Sequence, residues 1–173
     1  SLEKNAELQL KLKNPDVSAG EELEMQIKAP YTGAGLITIE RDRVRAYKWF
    51  HTKQNASIQK ITVPDDMEGN GYVSVSFIRG IDSKEVFMAP LTYGVAPFSI
   101  SKEKRTAKIT VNAPDLVKPG EPFKLRYHTD RPTKIVLWAV DEGILQVAKY
   151  QTPDPLAYFF QKRALEVKTA QIL

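Results

Sequence analysis

Side-chain chemistry near neutral pH starts with histidine, and this chain has two, His51 and His128. Neither stands in an H-E-x-x-H metal motif. Ser57, Ser74, Ser76, Ser83 and Ser99 lie in plain strand or turn contexts with no nucleophile-elbow sequence around them. Adjacent carboxylates occur at Asp65-Asp66 and Asp141-Glu142. A paired-carboxylate mechanism needs two such groups facing one cleft, whereas neighbours along a strand point to opposite faces. Turn formation ahead of Glu68 and Gly143 accounts for both pairs, and neither belongs to a D-x-[DN]-x-[DN]-G calcium loop. No catalytic, cofactor-binding or metal-ligating residue is therefore assigned, and the chain is not expected to be an enzyme or to need a cofactor. The absence of cysteine removes disulfides, thiolate zinc sites and cysteine nucleophiles, and leaves the compartment undetermined.

The elements that would have to position any site are strands. From residue 6 to residue 145 apolar residues alternate with polar ones between short turn clusters. The pattern predicts seven strands near 6–13, 22–28, 35–41, 43–50, 57–63, 71–79 and 86–95. Turns fall at Asn14-Pro15-Asp16, Thr32-Gly33-Ala34-Gly35, Pro64-Asp65-Asp66, Gly69-Asn70-Gly71 and Gly80-Ile81-Asp82. Seven short strands with that punctuation predict an antiparallel two-sheet sandwich, with Leu10, Met25, Ile27, Ile39, Val73, Val75 and Phe77 facing inward.

The same pattern then starts again. Leu8, Leu10 and Leu12 precede Pro15-Asp16 and Gly20-Glu21; Ile109 and Val111 precede Pro114-Asp115 and Gly120-Glu121. Met25 and Ile27 continue the first copy, Phe123 and Leu125 the second. A spacing of about 100 residues suits tandem domains of immunoglobulin or fibronectin size. The boundary is expected near Gly94 to Ser99, stiffened by Pro97, which divides the chain into residues 1–97 and 98–173. The second unit offers about three strands, at 106–112, 122–128 and 134–141, with an extension through Ile144 to Val147, too few to close a sandwich. Asp154 and Pro155 then read as N-cap and first residue of a short helix carrying Leu156, Phe159 and Phe160. Leu165, Val167 and Thr169 alternate like a strand, and the chain reads as continuing past Leu173.

Composition narrows the partners. With 42% hydrophobic and 27% charged residues the chain is that of an ordinary globular protein. The balance of 25 Lys and Arg against 21 Asp and Glu leaves a formal +4, spread rather than concentrated. The basic stretches Arg41–Arg45 and Lys102–Arg105 are interrupted by Asp42 and Glu103 and lack interleaved aromatics, so no nucleic-acid partner is expected. No run approaches the roughly 18 apolar residues of a spanning helix, and no leader pattern opens the chain; any export signal was removed or lies elsewhere. Tyr47, Trp49, Phe50 and Trp138 read as core or as interface with a neighbouring domain. Tyr158, Phe159 and Phe160 are dense enough to predict that their helix is packed against something.

The segment WAVDEGILQV at 138–147, followed by TPDPLAYFF at 152–160 and KRALEVKT at 162–169, resembles the bacterial branch of the α2-macroglobulin family. In that family an Ala-Val-Asp strand ends in a turn and an apolar triplet, matched here by Ala139, Val140, Asp141, Gly143, Ile144 and Leu145. PGEPFKLRY at 119–127 and YVSVSFIR at 72–79 are similar to strands of the family's macroglobulin domains. The resemblance implies a scaffold fragment from a multidomain, broad-spectrum protease inhibitor. In that family a protease cuts an exposed bait segment, and the molecule rearranges around it. Many members carry a Cys-x-Glu-Gln thioester, and some bacterial members lack it; that motif is absent from this chain. The bait is then expected beyond Leu173 or at the last few residues. Implied partners are target proteases, through the parent's bait, and neighbouring macroglobulin domains. The parent is expected in the periplasm, with lipid anchoring at the inner membrane left open. Two other readings remain at this point: an immunoglobulin-like adhesin or surface spacer, and a carbohydrate-binding module, which would expose a row of aromatics such as Tyr47, Trp49 and Trp138.

Overall fold

A computed structural model describes residues 7–167. Two compact units divide it, one grouping Ser1–Ser101 with Leu156–Leu173 and the other comprising Lys102–Pro155.

The first unit is a sandwich of two sheets. One contains β1 (Gln9–Leu12), β3 (Glu22–Lys28) and β6 (Ala56–Thr62), in that order. The other runs β2 (Asp16–Val17), β8 (Leu91–Ile100), β7 (Asn70–Arg79), β4 (Gly33–Glu40) and β5 (Val44–Thr52). Period-two alternation decides what is buried, because alternate side chains point to one face. Leu23, Met25 and Ile27 from β3 meet Ile37 and Ile39 from β4 and Val73, Val75 and Phe77 from β7, all essentially without solvent contact. Full burial of each such side chain contributes about 1.5–3 kcal/mol. Leu10 is only partly buried and packs on the rim of this core. Phe77 sits at its centre, with ring centroids 6.0 Å from Tyr31 and 5.7 Å from Phe50. Burial raises the Tyr31 phenol above its ordinary pKa against the opposing pull of Arg79, and its hydroxyl donates to the Ala89 carbonyl at 2.8 Å. Gly35 leaves room for Phe50: a Cβ there would lie 2.2 Å from the ring.

The sandwich has eight strands where seven are expected: β2 is added and pairs with β8 in parallel, and Gly33, Ala34 and Gly35 belong to β4 and not to a turn. Three further expectations for this unit change. The strand expected at 86–95 is β8, Leu91–Ile100, so the proposed joint at Gly94 to Ser99 is ladder, with Pro97 opposite Tyr72. Pro97 is tolerated because the amide of Ile100 faces Gly69 on the β7 side while that of Ser99 donates to Pro15 on the other. Alternation then turns position 97 away from β7, where no N–H is required. Residues between β7 and β8 form a loop closed by Arg79, whose guanidinium donates to the carbonyls of Glu85 and Met88 at 2.8 and 2.7 Å. Third, Asn70 and Gly71 open β7 rather than turning, and only Gly69 takes a left-handed φ of +80°.

In the second unit β9 (Ile109–Asn112) pairs with β10 (Arg126–Thr129) in an antiparallel two-stranded sheet. Residues 134–141 carry a strand pattern but ladder with no described residue. Ile144 to Val147 extend no strand; they belong to the helix α1 (Glu142–Val147), whose start is capped by Asp141 Oδ1 accepting from Gly143 N at 2.8 Å. A capped donor at that point ends extended backbone and begins a helical turn. The second sandwich is open. The repeat itself is visible in backbone detail: Gly20 and Gly120 take φ of +87° and +80°, and each precedes a Glu whose N–H returns to a residue three positions earlier, Ser18 or Lys118.

Candidate functional site

The residues with chemical potential fall at separate places along the strands, and His51 lines an open cavity of about 790 Å³ with Lys53, Arg79 and Asp82. His51 lies on β5 opposite Ala34, which in turn faces Ile78, so no serine shares its row. His128 lies on β10 opposite Thr110. Asp66 is spent on Arg45, at 2.6 Å, and Glu142 accepts from Gln146 Nε2 at 3.2 Å. No group of three or more acidic or histidine side chains capable of holding a metal occurs among the described residues.

The distinctive geometry lies where the C-terminal segment returns to the first sandwich. Helix α2 (Pro155–Phe159) begins at Pro155 as its sequence predicts, and Phe160 lies close to Gly69, whose Cβ position is 3.7 Å from the Phe160 carbonyl oxygen. Tyr158 and Phe159 contact each other edge to face and are exposed; of the three aromatics expected to be packed, only Phe160 is partly buried. The chain then crosses the end of β7. Asn70, only 4% exposed, donates from Nδ2 to the Arg163 carbonyl at 2.9 Å and accepts from the Arg163 amide at 2.9 Å. One side-chain amide thus reproduces a backbone bridge. The Tyr72 hydroxyl donates to the same Arg163 carbonyl at 3.1 Å. Three residues later Glu166 N donates to the Arg41 carbonyl at 2.8 Å, and the Arg41 guanidinium donates to the carbonyl of Glu68. Residues 164–167 form no regular strand, and Thr169 lies outside the described residues.

Charge surrounds this clasp. Asp42 forms ion pairs with Arg41 and Arg45 at 3.8 and 3.7 Å. The Asp42 carboxyl is held below the ordinary carboxylate range, first by its own backbone amide and then by Arg45, Arg41 and Arg43. A cavity of about 140 Å³ opens between Arg41, Asp66, Gly69, Phe160 and Arg163. It is too small for an organic substrate, since ligand pockets typically run to about 300–1,000 Å³. The arrangement fastens a chain. Asn70, Tyr72 and Arg41 were not legible as functional residues, because the Gly-Asn-Gly string is an ordinary turn signal and the Arg163 partner of Asn70 and Tyr72 lies more than 90 residues away.

Tyr47 and Trp49 depart most clearly from what their sequence context suggests. They project from the outer face of β5 and are 69% and 60% exposed, whereas Phe50 between the sheets is buried. Tyr93 and Val95 on β8 share that outer face, as do Leu36 and Ile78. Trp138, in the second unit, is also exposed.

A sandwich with a restarted repeat and a strapped C-terminal segment defines a modular chain built from β-sandwich units. Residues 8–147 match the family described as the alpha-2-macroglobulin bait region domain. The chain is similar to the alpha-2-macroglobulin homolog of Yersinia pestis, 53% identical over 100% of this chain and 9% of that protein. It is also 50% identical to alpha-2-macroglobulin of Pasteurella multocida, again over 100% of this chain and 9% of the relative. Among solved structures, Salmonella alpha-2-macroglobulin reacted with methylamine superposes with a TM-score of 0.54 at 21% identity, covering 92% of this chain and 11% of that one, which shows the shared fold. The chain belongs to the bacterial alpha-2-macroglobulin family. It spans about a tenth of the length of the relatives it matches.

Proposed function

We propose that this chain is scaffold from a bacterial alpha-2-macroglobulin-type, broad-spectrum protease inhibitor, and that it carries the ordered lead-in to the bait. With the boundary moved from residue 97 to the end of β8, residues 1–101 are read as one macroglobulin-like domain and residues 102–155 as the opening of the next, the segment from Leu156 onward returning to the first sandwich. The work is binding and conformational change, with no catalytic step on this chain. One observation carries the reading: the segment following the bait-region-domain match is not loose but fastened through Arg163 and Glu166. A chain that a protease must find flexible needs a fixed point from which flexibility starts. Family membership favours this reading over an adhesin spacer or a carbohydrate module, and on this reading the outward aromatics Tyr47 and Trp49 are contacts with neighbouring domains of the parent.

The parent is proposed to lie in the periplasm; fractionation of cells with and without detergent tests that location and any lipid tether together. For function, the full-length parent and this chain alone are titrated against proteases of different specificity. The parent should inhibit at near-stoichiometric ratios and the chain alone should not, because bait, capture and enclosing parts do not fit in 173 residues. Stoichiometric inhibition by the chain alone at micromolar concentration contradicts the reading.

A further inference from the structure

Lys162 and Arg163 form a dibasic pair with exposed side chains. Basic side chains of this kind fill the specificity pocket of trypsin-type proteases, so the Arg163–Ala164 bond is by sequence a good substrate. Cleavage requires the Arg163 carbonyl carbon to meet the protease's nucleophile while its oxygen enters an oxyanion hole. Here that oxygen already accepts from Asn70 Nδ2 at 2.9 Å and from the Tyr72 hydroxyl at 3.1 Å. The Arg163 amide is held by Asn70 Oδ1 at 2.9 Å, and Glu166 N is held by Arg41 at 2.8 Å. The carbonyl is doubly occupied, and the chain is pinned on both sides of the bond.

We propose that Asn70, with Tyr72, masks a trypsin-type cleavage site at Arg163–Ala164 and so sets the N-terminal limit of the chain open to proteases. Asn70 is a positioning residue: it acts by withholding the carbonyl, not by chemistry. The biological role rests on the bait lead-in reading, whereas the masking rests on the clasp geometry. An Asn suits the task because one side chain supplies both the donor and the acceptor, as its carboxylate analogue cannot.

The test is brief trypsin treatment of the full-length parent, with early fragments identified by mass. The wild type should resist cleavage after Arg163. Asn70→Ala should raise the initial rate there about ten- to hundredfold, the effect of losing two net hydrogen bonds on the open population. Asn70→Asp keeps the acceptor for the Arg163 amide but loses the donor to the carbonyl, and should fall between the two. Tyr72→Phe should give a smaller rise. Arg163→Gln in the Asn70→Ala background should abolish the new cut after position 163. If Asn70→Ala unfolds the sandwich, cuts after strand residues such as Lys28 and Arg79 will accompany the new one, and Tyr72→Phe then decides. Rapid cleavage after Arg163 in the wild type, or unchanged resistance in folded Asn70→Ala and Tyr72→Phe, overturns the proposal. Failure of the bait reading would look different: wild-type first cuts would fall away from the region after Leu173 whatever the variants did.

Discussion

Trp49 and Phe50 are adjacent, similar in size and opposite in fate. On a strand, one register step moves a side chain from core to outer face, so Phe50 meets Phe77 and covers Gly35 while Trp49 faces outward. Phe50→Ala should destabilise this chain by about 3–5 kcal/mol, and Trp49→Ala by less than about 1 kcal/mol. Denaturant unfolding of the two variants measures this; equal losses would show that the register is wrong. Alternation made the inward set legible, Met25, Ile27, Ile39, Val73, Val75 and Phe77 all being buried as their spacing predicts. It could not make Asn70 legible, because a side chain's partner at Arg163 is a fact of tertiary return and leaves no local trace.

At the scale of elements, strands announced themselves more reliably than their ends. Val86 and Phe87 look like a strand start, yet the ladder begins at Leu91, where Ile78 supplies a partner. The apolar run at 134–141 has the same appearance without a described partner strand, and Asp141 ends it by capping α1. Strand character in sequence is a capacity for pairing, and pairing decides whether it is realised. Pro97 offers a sharp test of the β7–β8 ladder. Its position turns the missing N–H away from β7, whereas Ala96 lies opposite Val73 with its amide toward that strand. Pro97→Ala should change stability by less than about 1 kcal/mol, while Ala96→Pro should cost about 3 kcal/mol or more. Thermal or denaturant unfolding reads the difference, and a tolerated Ala96→Pro would mean the ladder is set one residue differently.

For the whole molecule, the sequence led to a tandem of sandwich units with the second incomplete, and the matching turns at Gly20 and Gly120 give that repeat a physical basis. The site was less accessible, since a fastening made from backbone carbonyls, one Asn and one Tyr has no motif. The chain comprises a sandwich, an open second unit and a strap whose last hydrogen bond among the described residues is made by Glu166. The central claim is that order gives way to protease-accessible chain just beyond this strap. Limited proteolysis of the full-length parent, with several proteases of unrelated specificity and the first cuts mapped, tests it most directly. First cuts should cluster within a few tens of residues after Leu173 for every protease, because accessibility rather than side-chain preference governs early cleavage. First cuts within the loop at 80–90 or in the second unit, with the region after Leu173 resistant, would contradict the account.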